Sequence, residues 1–388
     1  MSAQKHPLIY LDNNATTRVD PAVVGAMMPF LTEQYFNPSS AYHASGTVAK
    51  AIDTAREQVA ALLGCETGEV FFTSCGTESN NAVINSALLM DPDRQHIITT
   101  SVEHSSVKTQ CETLARRGHE ITWLGVDHDG LIDLAELERA IRPDTAIVSI
   151  MWANNETGVL SPVGEIAALC HRKRVLFHTD AVQAVGKIPT RLAHSHIHFL
   201  ALSGHKLHCP KGVGALYVSK RTKFHPFVLG GSQENGKRAG TENVVSIVAL
   251  GKACEIAGEF MEHENTEVRA LRDAFERGVL EKIGGAQVNG SHGHRLPNTS
   301  NLSFEGLDSE PLLKLLDKHG VCCSAGSACT AGSLHPSHVL TAMGFSTERA
   351  RASLRFSFGR FNTKAETELA LDILIRSVAK LRATMVAA

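Results

Sequence analysis

Short apolar runs rich in β-branched residues recur along the first half of the chain. Each run is followed at once by polar residues and then by a helical stretch. Buried strands that alternate with helices are typical of parallel pairing in an α/β sheet. The pattern therefore predicts an α/β fold with a mostly parallel sheet. The predicted strands are residues 70–73, 96–100, 146–151, 175–178 and 197–202.

A polar cluster follows each of these predicted strands. In open α/β sheets, ligands bind in the crevice beyond the carboxyl ends of the strands. We therefore expect the clusters to converge on one site, although a loop that follows a strand is commonly polar in any protein. The clusters are residues 74–78, 103–104, 154–158, 180–183 and 203–206.

The pattern changes between about residues 252 and 282, where it becomes helical and strongly charged. We interpret this segment as a long exposed helix with a solvated face, leading to a smaller C-terminal domain. Its charged residues are Glu255, Glu259, Glu262, Glu264, Glu267, Arg269 and Arg272.

Composition narrows the class of protein. Hydrophobic residues make up 43% and charged residues 20% of the 388 positions, and the formal net charge is -2. This balance is typical of a globular protein without a nucleic-acid partner. The N-terminus lacks the charged and apolar regions of a signal peptide, and no apolar run approaches the roughly 20 residues that cross a bilayer. We therefore expect a cytoplasmic protein that does not enter a membrane.

The nine cysteines do not suggest a disulfide framework, because their number is odd and they are spread along a long chain. No pair has the spacing of a metal site, so no firm metal ligand is predicted. All but Cys329 are interpreted as small buried apolar residues. These are Cys65, Cys75, Cys111, Cys170, Cys209, Cys254, Cys322 and Cys323.

The sharpest local motif is Ser-Gly-His-Lys at residues 203–206, followed by the glycine-rich residues 210–214. A buried lysine at a strand end suits Schiff-base chemistry with an aldehyde such as pyridoxal phosphate. That cofactor needs an acid facing its pyridine nitrogen, and Asp180 is the candidate. It also needs N–H donors for its phosphate, which Gly76 and Thr77 at a helix start would supply. Gln183 could bind the ring oxygen.

The segments around these residues resemble the aminotransferase class V branch of fold-type I pyridoxal-phosphate enzymes. Residues 10–17, 37–40 and 324–329 narrow the resemblance to the NifS/IscS-type cysteine desulfurases, and residues 72–78, 151–158 and 261–268 favour the NifS type. The resemblance covers essentially the whole chain. It implies a seven-stranded sheet with helices on both faces and a smaller α+β domain. The domains would be residues 15–260, and residues 1–14 together with 261–388.

The resemblance also implies a role for single residues. Lys206 would hold the cofactor and Arg355 would bind the substrate carboxylate, with Asn155 and Asn37 as further substrate contacts. His104 would stack on the cofactor ring and move protons. Thr241 would reach the phosphate of the partner subunit, which implies a homodimer. The cofactor-binding set is Gly76, Thr77, His104, Asn155, Asp180, Gln183, Ser203, His205, Lys206 and Thr241.

Cys329 lies among glycine, serine and alanine residues in the segment 324–333. Such a segment has little to bury, which suits a nucleophilic thiol that must reach a substrate and then deliver its cargo. The resemblance makes Cys329 the catalytic sulfur acceptor, with a transient contact to an iron–sulfur cluster as a weaker hypothesis. One departure is Phe36, which stands before Asn37 where the family commonly has glycine.

The resemblance implies removal of sulfur from L-cysteine, giving L-alanine and a persulfide on Cys329. The sulfur would pass to an iron–sulfur scaffold protein, including one that serves nitrogenase. A selenocysteine lyase and a class V aminotransferase are alternatives within the same family. A non-catalytic metal or sulfur carrier is the alternative outside enzymes, since the chain has 20 histidines besides its cysteines.

Overall fold

A computed structural model describes residues 8–326 and 336–386 of the chain. Short 3₁₀ turns lie at Thr67–Glu69, Gly204–Lys206 and Gln233–Gly236, and a π-helical turn lies at Glu264–Val268. The strands are Ile9–Tyr10 (β1), Val70–Thr73 (β2), His96–Thr100 (β3), Glu120–Leu124 (β4), Thr145–Ser149 (β5), Leu176–Asp180 (β6), Phe199–Ser203 (β7), Gly214–Val218 (β8), Ala286–Val288 (β9), Thr299–Phe304 (β10), Val321–Cys322 (β11) and Ser353–Ser357 (β12). The helices are Pro21–Met27 (α1), Pro29–Thr32 (α2), His43–Leu63 (α3), Gly76–Met90 (α4), Ser105–Arg116 (α5), Leu134–Ala140 (α6), Val163–Lys173 (α7), Val244–Glu259 (α8), Met261–His263 (α9), Arg269–Lys282 (α10), Ser309–Lys318 (α11), His338–Ala342 (α12), Thr347–Arg351 (α13) and Lys364–Val386 (α14).

The large sheet has seven strands in the order β2-β8-β7-β6-β5-β3-β4. β8 pairs antiparallel with both β2 and β7, and the other pairs are parallel. All strands except β8 therefore run in one direction, and their carboxyl ends meet at one edge. This confirms the mostly parallel seven-stranded sheet.

Helices cover both faces of this sheet because successive strand residues point to opposite sides. Ile98, Val148 and Leu200 pack in a core that includes residues of α3, α7 and α8. Their neighbours Ile97, Ile147 and Phe199 pack in a second core with residues of α4 and α5. Strands buried on both faces read as continuous apolar runs, which is why their positions are visible in the sequence.

A smaller core belongs to the C-terminal part of the chain. The antiparallel sheet β12-β10-β9 and the parallel pair β1-β11 pack there with α10, α11 and α14. Ile9 and Leu11 join this core, although they lie at the other end of the sequence. The residue limits of the two domains stay a prediction. Within the described residues, no helix is both long and apolar enough to cross a membrane.

The expectation of a solvated charged helix after residue 252 is wrong for two of its residues. The helical path is interrupted by the π turn Glu264–Val268, and Glu264 and Arg272 are only 8% and 4% exposed. Arg272 donates to the backbone carbonyls of Leu296 and Thr299 at 3.2 and 2.9 Å. Burial of these charges needs partners that come from distant segments, so local charge density does not reveal it.

Candidate active site

A cavity of about 250 Å³ lies at the carboxyl ends of the large-sheet strands. This is the convergence expected from the polar clusters. The lining includes ten of the residues named from the sequence, and these are Gly76, Thr77, His104, Asn155, Asp180, Gln183, Ser203, His205, Lys206 and Arg355.

The N-terminus of α4 forms one end of the cavity. Cys75 before it is extended and makes no side-chain capping bond within the described structure. The first-turn N–H groups of a helix have no acceptor inside the helix, so this end suits an anion such as phosphate. A Cβ atom at Gly76 would lie 2.7 Å from Val182 Cγ2, so glycine lets the backbone approach closely here.

Asp180 ends β6 and is 5% exposed. One carboxylate oxygen accepts from the Asn80 side chain at 2.7 Å, and the other accepts from the Val182 N–H at 3.0 Å. Asn80 is fully buried and also donates to Ser106 at 2.8 Å. The carboxylate is thus held in place at the cavity wall, as an acid facing a pyridine nitrogen requires.

Lys206 lies on the 3₁₀ turn that follows β7. Its Nζ donates to the backbone carbonyls of Asn14 and Ala15 at 2.5 and 2.7 Å. Two carbonyls of the N-terminal segment therefore aim the amine into the cavity. His205 beside it contacts Thr16 at 3.2 Å, and burial lowers the pKa of this histidine to about 4, so its ring is neutral near pH 7.

His104 caps the N-terminus of α5, where its Nδ1 accepts from the Ser106 N–H at 3.1 Å. Because Nδ1 is an acceptor, the neutral ring carries its proton on Nε2. Burial is the main cause that lowers the pKa of His104. A neutral ring at the cavity can stack on an aromatic cofactor and exchange a proton.

Arg355 on β12 is a large side chain that is only 1% exposed. Its guanidinium donates to Asp12 Oδ1 at 2.7 Å and to the Asn155 carbonyl at 2.9 Å. Its Nε has no hydrogen-bond partner among the described residues. A buried guanidinium in the lining of a cavity suits a carboxylate ligand.

These residues fit pyridoxal phosphate. The helix end at Gly76 offers a place for the phosphate, Asp180 offers the acid for the ring nitrogen, and Lys206 offers the amine. Position 76 needs glycine because a Cβ atom there would collide with Val182, which lets the helix N-terminus lie close to the cavity wall. The cofactor chemistry and the donor set therefore agree.

Two residues named from the sequence are not in this cavity. Asn37 is exposed, and its side chain accepts from the Ser39 N–H at 2.9 Å. Phe36 stacks on Tyr35 with ring centroids 4.9 Å apart. Thr241 is also exposed and lines a separate hollow. The roles of Asn37 and Thr241 stay predictions, and Cys329 lies outside the described residues.

The interpretation of eight cysteines as buried residues needs a correction. Four are buried, whereas the others are partly exposed and one of these, Cys75, lines the cavity. The partly exposed ones lie in loops or short edge strands that no neighbouring helix covers completely. The buried set is Cys111, Cys170, Cys209 and Cys254, and the partly exposed set is Cys65, Cys75, Cys322 and Cys323.

Sequence reasoning missed several residues that organise the cavity. Asn14 accepts from Lys206 and Gln183 through its carbonyl and bonds Thr299 through its side chain at 2.8 Å. Asn80 holds Asp180, and Asp12 holds Arg355. Asp12 and Asn14 lie inside the motif at residues 10–17, which was the only signal for them.

The sequence of this chain matches a protein family and several known proteins over almost its whole length. Residues 9–369 match the model of the family described as aminotransferase class-V. A cysteine desulfurase of Gluconacetobacter diazotrophicus is 53% identical over 96% of this chain and 94% of its own. The cysteine desulfurase NifS of Azotobacter vinelandii is 51% identical over 96% and 93%. The chain belongs to the cysteine desulfurases of aminotransferase class V.

A solved structure supports the same family at the level of the fold. A NifS-like protein superimposes with a TM-score of 0.90 and 36% identity, covering 96% of this chain and 99% of its own. The predicted resemblance and the predicted fold class are therefore both confirmed. Membership of the cysteine desulfurase family also argues against the carrier alternative, because the relatives are enzymes.

Proposed function

We propose that this cysteine desulfurase uses pyridoxal phosphate to convert L-cysteine to L-alanine and leaves the sulfur as a persulfide on Cys329. The observation that carries the proposal is the meeting of Lys206, Asp180, the α4 N-terminus and Arg355 at one cavity. A lysine, an acid and an anion site serve the cofactor. The buried arginine serves the carboxylate of an amino acid.

The cofactor would be held at three points. Gly76 and Thr77 would bind its phosphate with Ser203 and His205, Asp180 would keep its pyridine nitrogen protonated, and Gln183 and Asn155 would contact its ring oxygen. When bound, pyridoxal phosphate supplies an electron sink that makes the α-proton of an amino acid acidic.

Lys206 has two tasks in this proposal. It would hold the cofactor covalently, and its amine, once free, would accept the α-proton of L-cysteine. His104 lines the same cavity with a neutral ring, which allows it to take up and return a proton. Both groups come from residues just beyond strand ends.

Arg355 would orient the substrate through its carboxylate. The guanidinium is already fixed by Asp12 and by the Asn155 carbonyl. A planar guanidinium bound in this way presents donors in one direction. A substrate bound in this way would lie in the cavity that Lys206 also lines.

Cys329 would take the sulfur. Its thiolate attacks the substrate sulfur, a sulfur–sulfur bond forms, and the Cβ–S bond breaks with its electron pair remaining on carbon. Protonation of that carbon gives L-alanine. Both sulfur atoms are oxidised as the carbon is reduced, so the step needs no external oxidant.

Seven of the eight other cysteines are poorer nucleophiles. Burial raises the pKa of the Cys65, Cys111, Cys170 and Cys254 thiols to about 12, and it also raises the pKa of Cys209, Cys322 and Cys323. A thiol with a raised pKa is almost entirely protonated near pH 7, and the thiolate is the reactive form. This argues against these seven cysteines as the acceptor and leaves Cys329, which the family resemblance names, and Cys75, which lines the cavity.

The experiment is to incubate the holoenzyme with L-cysteine, to quantify alanine, and to locate added sulfur by mass spectrometry of the peptides. We expect alanine and one extra sulfur atom on the peptide with Cys329. The Cys329→Ser variant should bind the cofactor but form neither persulfide nor alanine at the parent rate.

Cys322→Ser is the matched control, because Cys322 lies close by in sequence and its pKa is raised. It should retain persulfide formation on Cys329. Alanine release from Cys329→Ser at the parent rate, or sulfur found on another cysteine of the parent, would exclude the proposed acceptor.

Three finer parts of the function rest mainly on the family. A homodimer in which Thr241 serves the partner's cofactor is supported by the exposure of Thr241, and light scattering tests it against the monomer mass of 41.8 kDa. Delivery to an iron–sulfur scaffold, including one for nitrogenase, is supported by the NifS relative and is tested by sulfur transfer to an added scaffold protein. A cytoplasmic location stays a prediction, which cell fractionation tests.

A further inference from the structure

Lys187 is a buried lysine behind the cavity, and the function proposed above gives it no task. It is 6% exposed, and its Nζ donates to Gln183 Oε1 at 2.7 Å and to Asn14 Oδ1 at 3.3 Å. Gln183 lines the cavity, whereas Lys187 is not part of the lining that the described residues form. Lys187 therefore reaches the cavity only through the side chains of Gln183 and Asn14, and its shorter bond is to Gln183.

The backbone around Lys187 holds the amine in this place. Gly186 has a φ of 75°, and a Cβ atom there would lie 2.4 Å from Leu207 Cδ2, so the turn needs glycine. The Asn265 side chain donates to the Lys187 carbonyl at 2.9 Å. The lysine is thus built into the fold rather than placed by a flexible stem.

The Gln183 amide has one orientation that satisfies both of its neighbours. Its Nε2 donates to the Asn14 carbonyl at 2.9 Å while its Oε1 accepts from Lys187. A flipped amide would place N–H groups against the amine and its oxygen against a carbonyl oxygen. Two donors in contact, or two acceptors in contact, form no hydrogen bond, and a buried polar group without a partner is unfavourable.

We propose that Lys187 is a positioning residue that fixes the Gln183 amide so that its Nε2 presents an N–H to the ring oxygen of bound pyridoxal phosphate. An amide nitrogen has two hydrogens. One is used by Asn14, and the other is available for the cofactor. The inference rests on the proposed function, because it requires the cofactor ring beside Gln183.

The charge of Lys187 is not needed for this task. The nearby carboxyl group of Glu264, in the π turn, favours the charged form of Lys187. The nearby cations Lys206 and Arg355 disfavour that form. Burial lowers the pKa of Lys187 to about 7 and raises that of Glu264 to about 7. Both an ammonium and a neutral amine carry N–H donors, so the bond to Gln183 Oε1 persists in either protonation state.

A structural alternative is that Lys187 only compensates the buried Glu264. The two explanations differ in what happens at the cofactor. Positioning acts through Gln183, so removal of Lys187 has no further effect once Gln183 is gone. Charge compensation acts independently of Gln183, so the two removals have additive effects.

The experiment is a pH titration of the visible absorption of the holoenzyme for the parent, Lys187→Met, Gln183→Ala and the double variant. An N–H donor stabilises the anionic ring oxygen and so favours the deprotonated chromophore. We expect each single variant to raise the titration midpoint by about one pH unit. The double variant should match Gln183→Ala.

Glu264→Gln is the control, because it removes the acid and keeps the Lys187 donor. Its midpoint should stay near that of the parent, and a shift as large as that of Lys187→Met would overturn the positioning role. An unshifted Lys187→Met, or additive shifts in the double variant, would overturn it as well. If Lys187→Met does not fold, Lys187→Gln is titrated instead, because its terminal nitrogen is one bond closer to the backbone and loses contact with Gln183.

The outcome also separates this inference from the function on which it rests. A parent protein that gives no visible band with pyridoxal phosphate contradicts the proposed function. A normal parent band with unshifted variants contradicts only the role of Lys187.

Discussion

Two walls of the cavity are built in different ways. The strand-end wall consists of Gly76, His104, Asp180, Ser203 and Lys206, which lie at or just beyond the last residues of large-sheet strands, or at the starts of the helices that follow. Its positions are set by the hydrogen-bond ladder of the sheet.

The arginine wall consists of Asn14 and Arg355, held by side chains from several segments. Asp12 binds Arg355, and Thr299 and Asn298 bind the Asn14 side chain at 2.8 and 3.0 Å. Few of these bonds belong to regular secondary structure. The strand-end wall therefore depends on regular backbone pairing, whereas the arginine wall depends on side-chain hydrogen bonds between distant segments.

The largest expected effect is on the strand-end wall. Lys206→Ala should reduce desulfurase activity by at least about a hundredfold, because the group that moves the α-proton is lost. Borohydride treatment should no longer link the cofactor to the protein, while the rest of this rigid wall still binds it. Activity and mass spectrometry measure both effects.

Lys211→Ala is the control for this substitution, because Lys211 is exposed and lies outside the cavity lining of the described chain. This variant should keep the desulfurase activity of the parent and the borohydride-stable attachment of the cofactor. Borohydride-stable attachment of the cofactor in Lys206→Ala would show that another amine holds it.

A smaller effect is expected on the arginine wall. Arg355→Lys keeps the charge but cannot bind Asp12, the Asn155 carbonyl and a substrate carboxylate with the same geometry. We expect kcat/KM for L-cysteine to fall by about tenfold to a hundredfold, mainly through KM. Steady-state kinetics measure this.

Arg349→Lys is the matched control, since Arg349 binds Asn289 and the Val288 carbonyl at 2.8 and 3.0 Å without lining the described cavity. It should leave KM close to the parent value. A change confined to kcat in Arg355→Lys would mean that the arginine wall takes part in the chemistry rather than in binding.

The smallest effect concerns the sheet that supports the strand-end wall. His178 on β6 is fully buried, bonds Ser149 at 2.8 Å, and burial lowers its pKa from 6.5 to about 3. Between these values the unfolded chain binds a proton at this site and the native protein does not. Stability should therefore decrease as the pH falls below 6.5, by about 1 kcal/mol per pH unit from this residue.

Chemical unfolding of the holoenzyme at pH 6.5 and about one unit lower tests this slope in the parent and in His178→Gln. The variant should lose the contribution of His178, whereas His43→Gln at an exposed site should keep it. Equal slopes in all three proteins would contradict the assigned cause.

Much of the large sheet could be predicted from local pattern. The runs at residues 70–73 and 96–100 coincide with β2 and β3, and the other three runs overlap β5, β6 and β7. β4 was missed because it is an edge strand with several exposed side chains, and β8 was missed because its start lies in a glycine-rich segment. A strand that is buried on both faces reads as a continuous apolar run. An edge strand is partly exposed, so it lacks that run.

The residues of the site also divide into those that the sequence reveals and those that only the structure reveals. Lys206 and Asp180 were recognisable because each follows a buried strand, and the resemblance of the chain to cysteine desulfurases named Arg355 and Cys329. Lys187 and Glu264 carried no such signal. Their importance depends on burial beside groups from other segments.

The sequence by itself determined the family, the parallel sheet and the strand-end residues, because regular burial and short motifs leave a local pattern. Only the tertiary structure decided that Asn14 meets Lys206 and Gln183, and that Lys187 stands behind the cavity with Glu264. Hydrogen bonds and buried charges between residues far apart in the chain depend on how the elements pack. No short stretch of sequence contains that information.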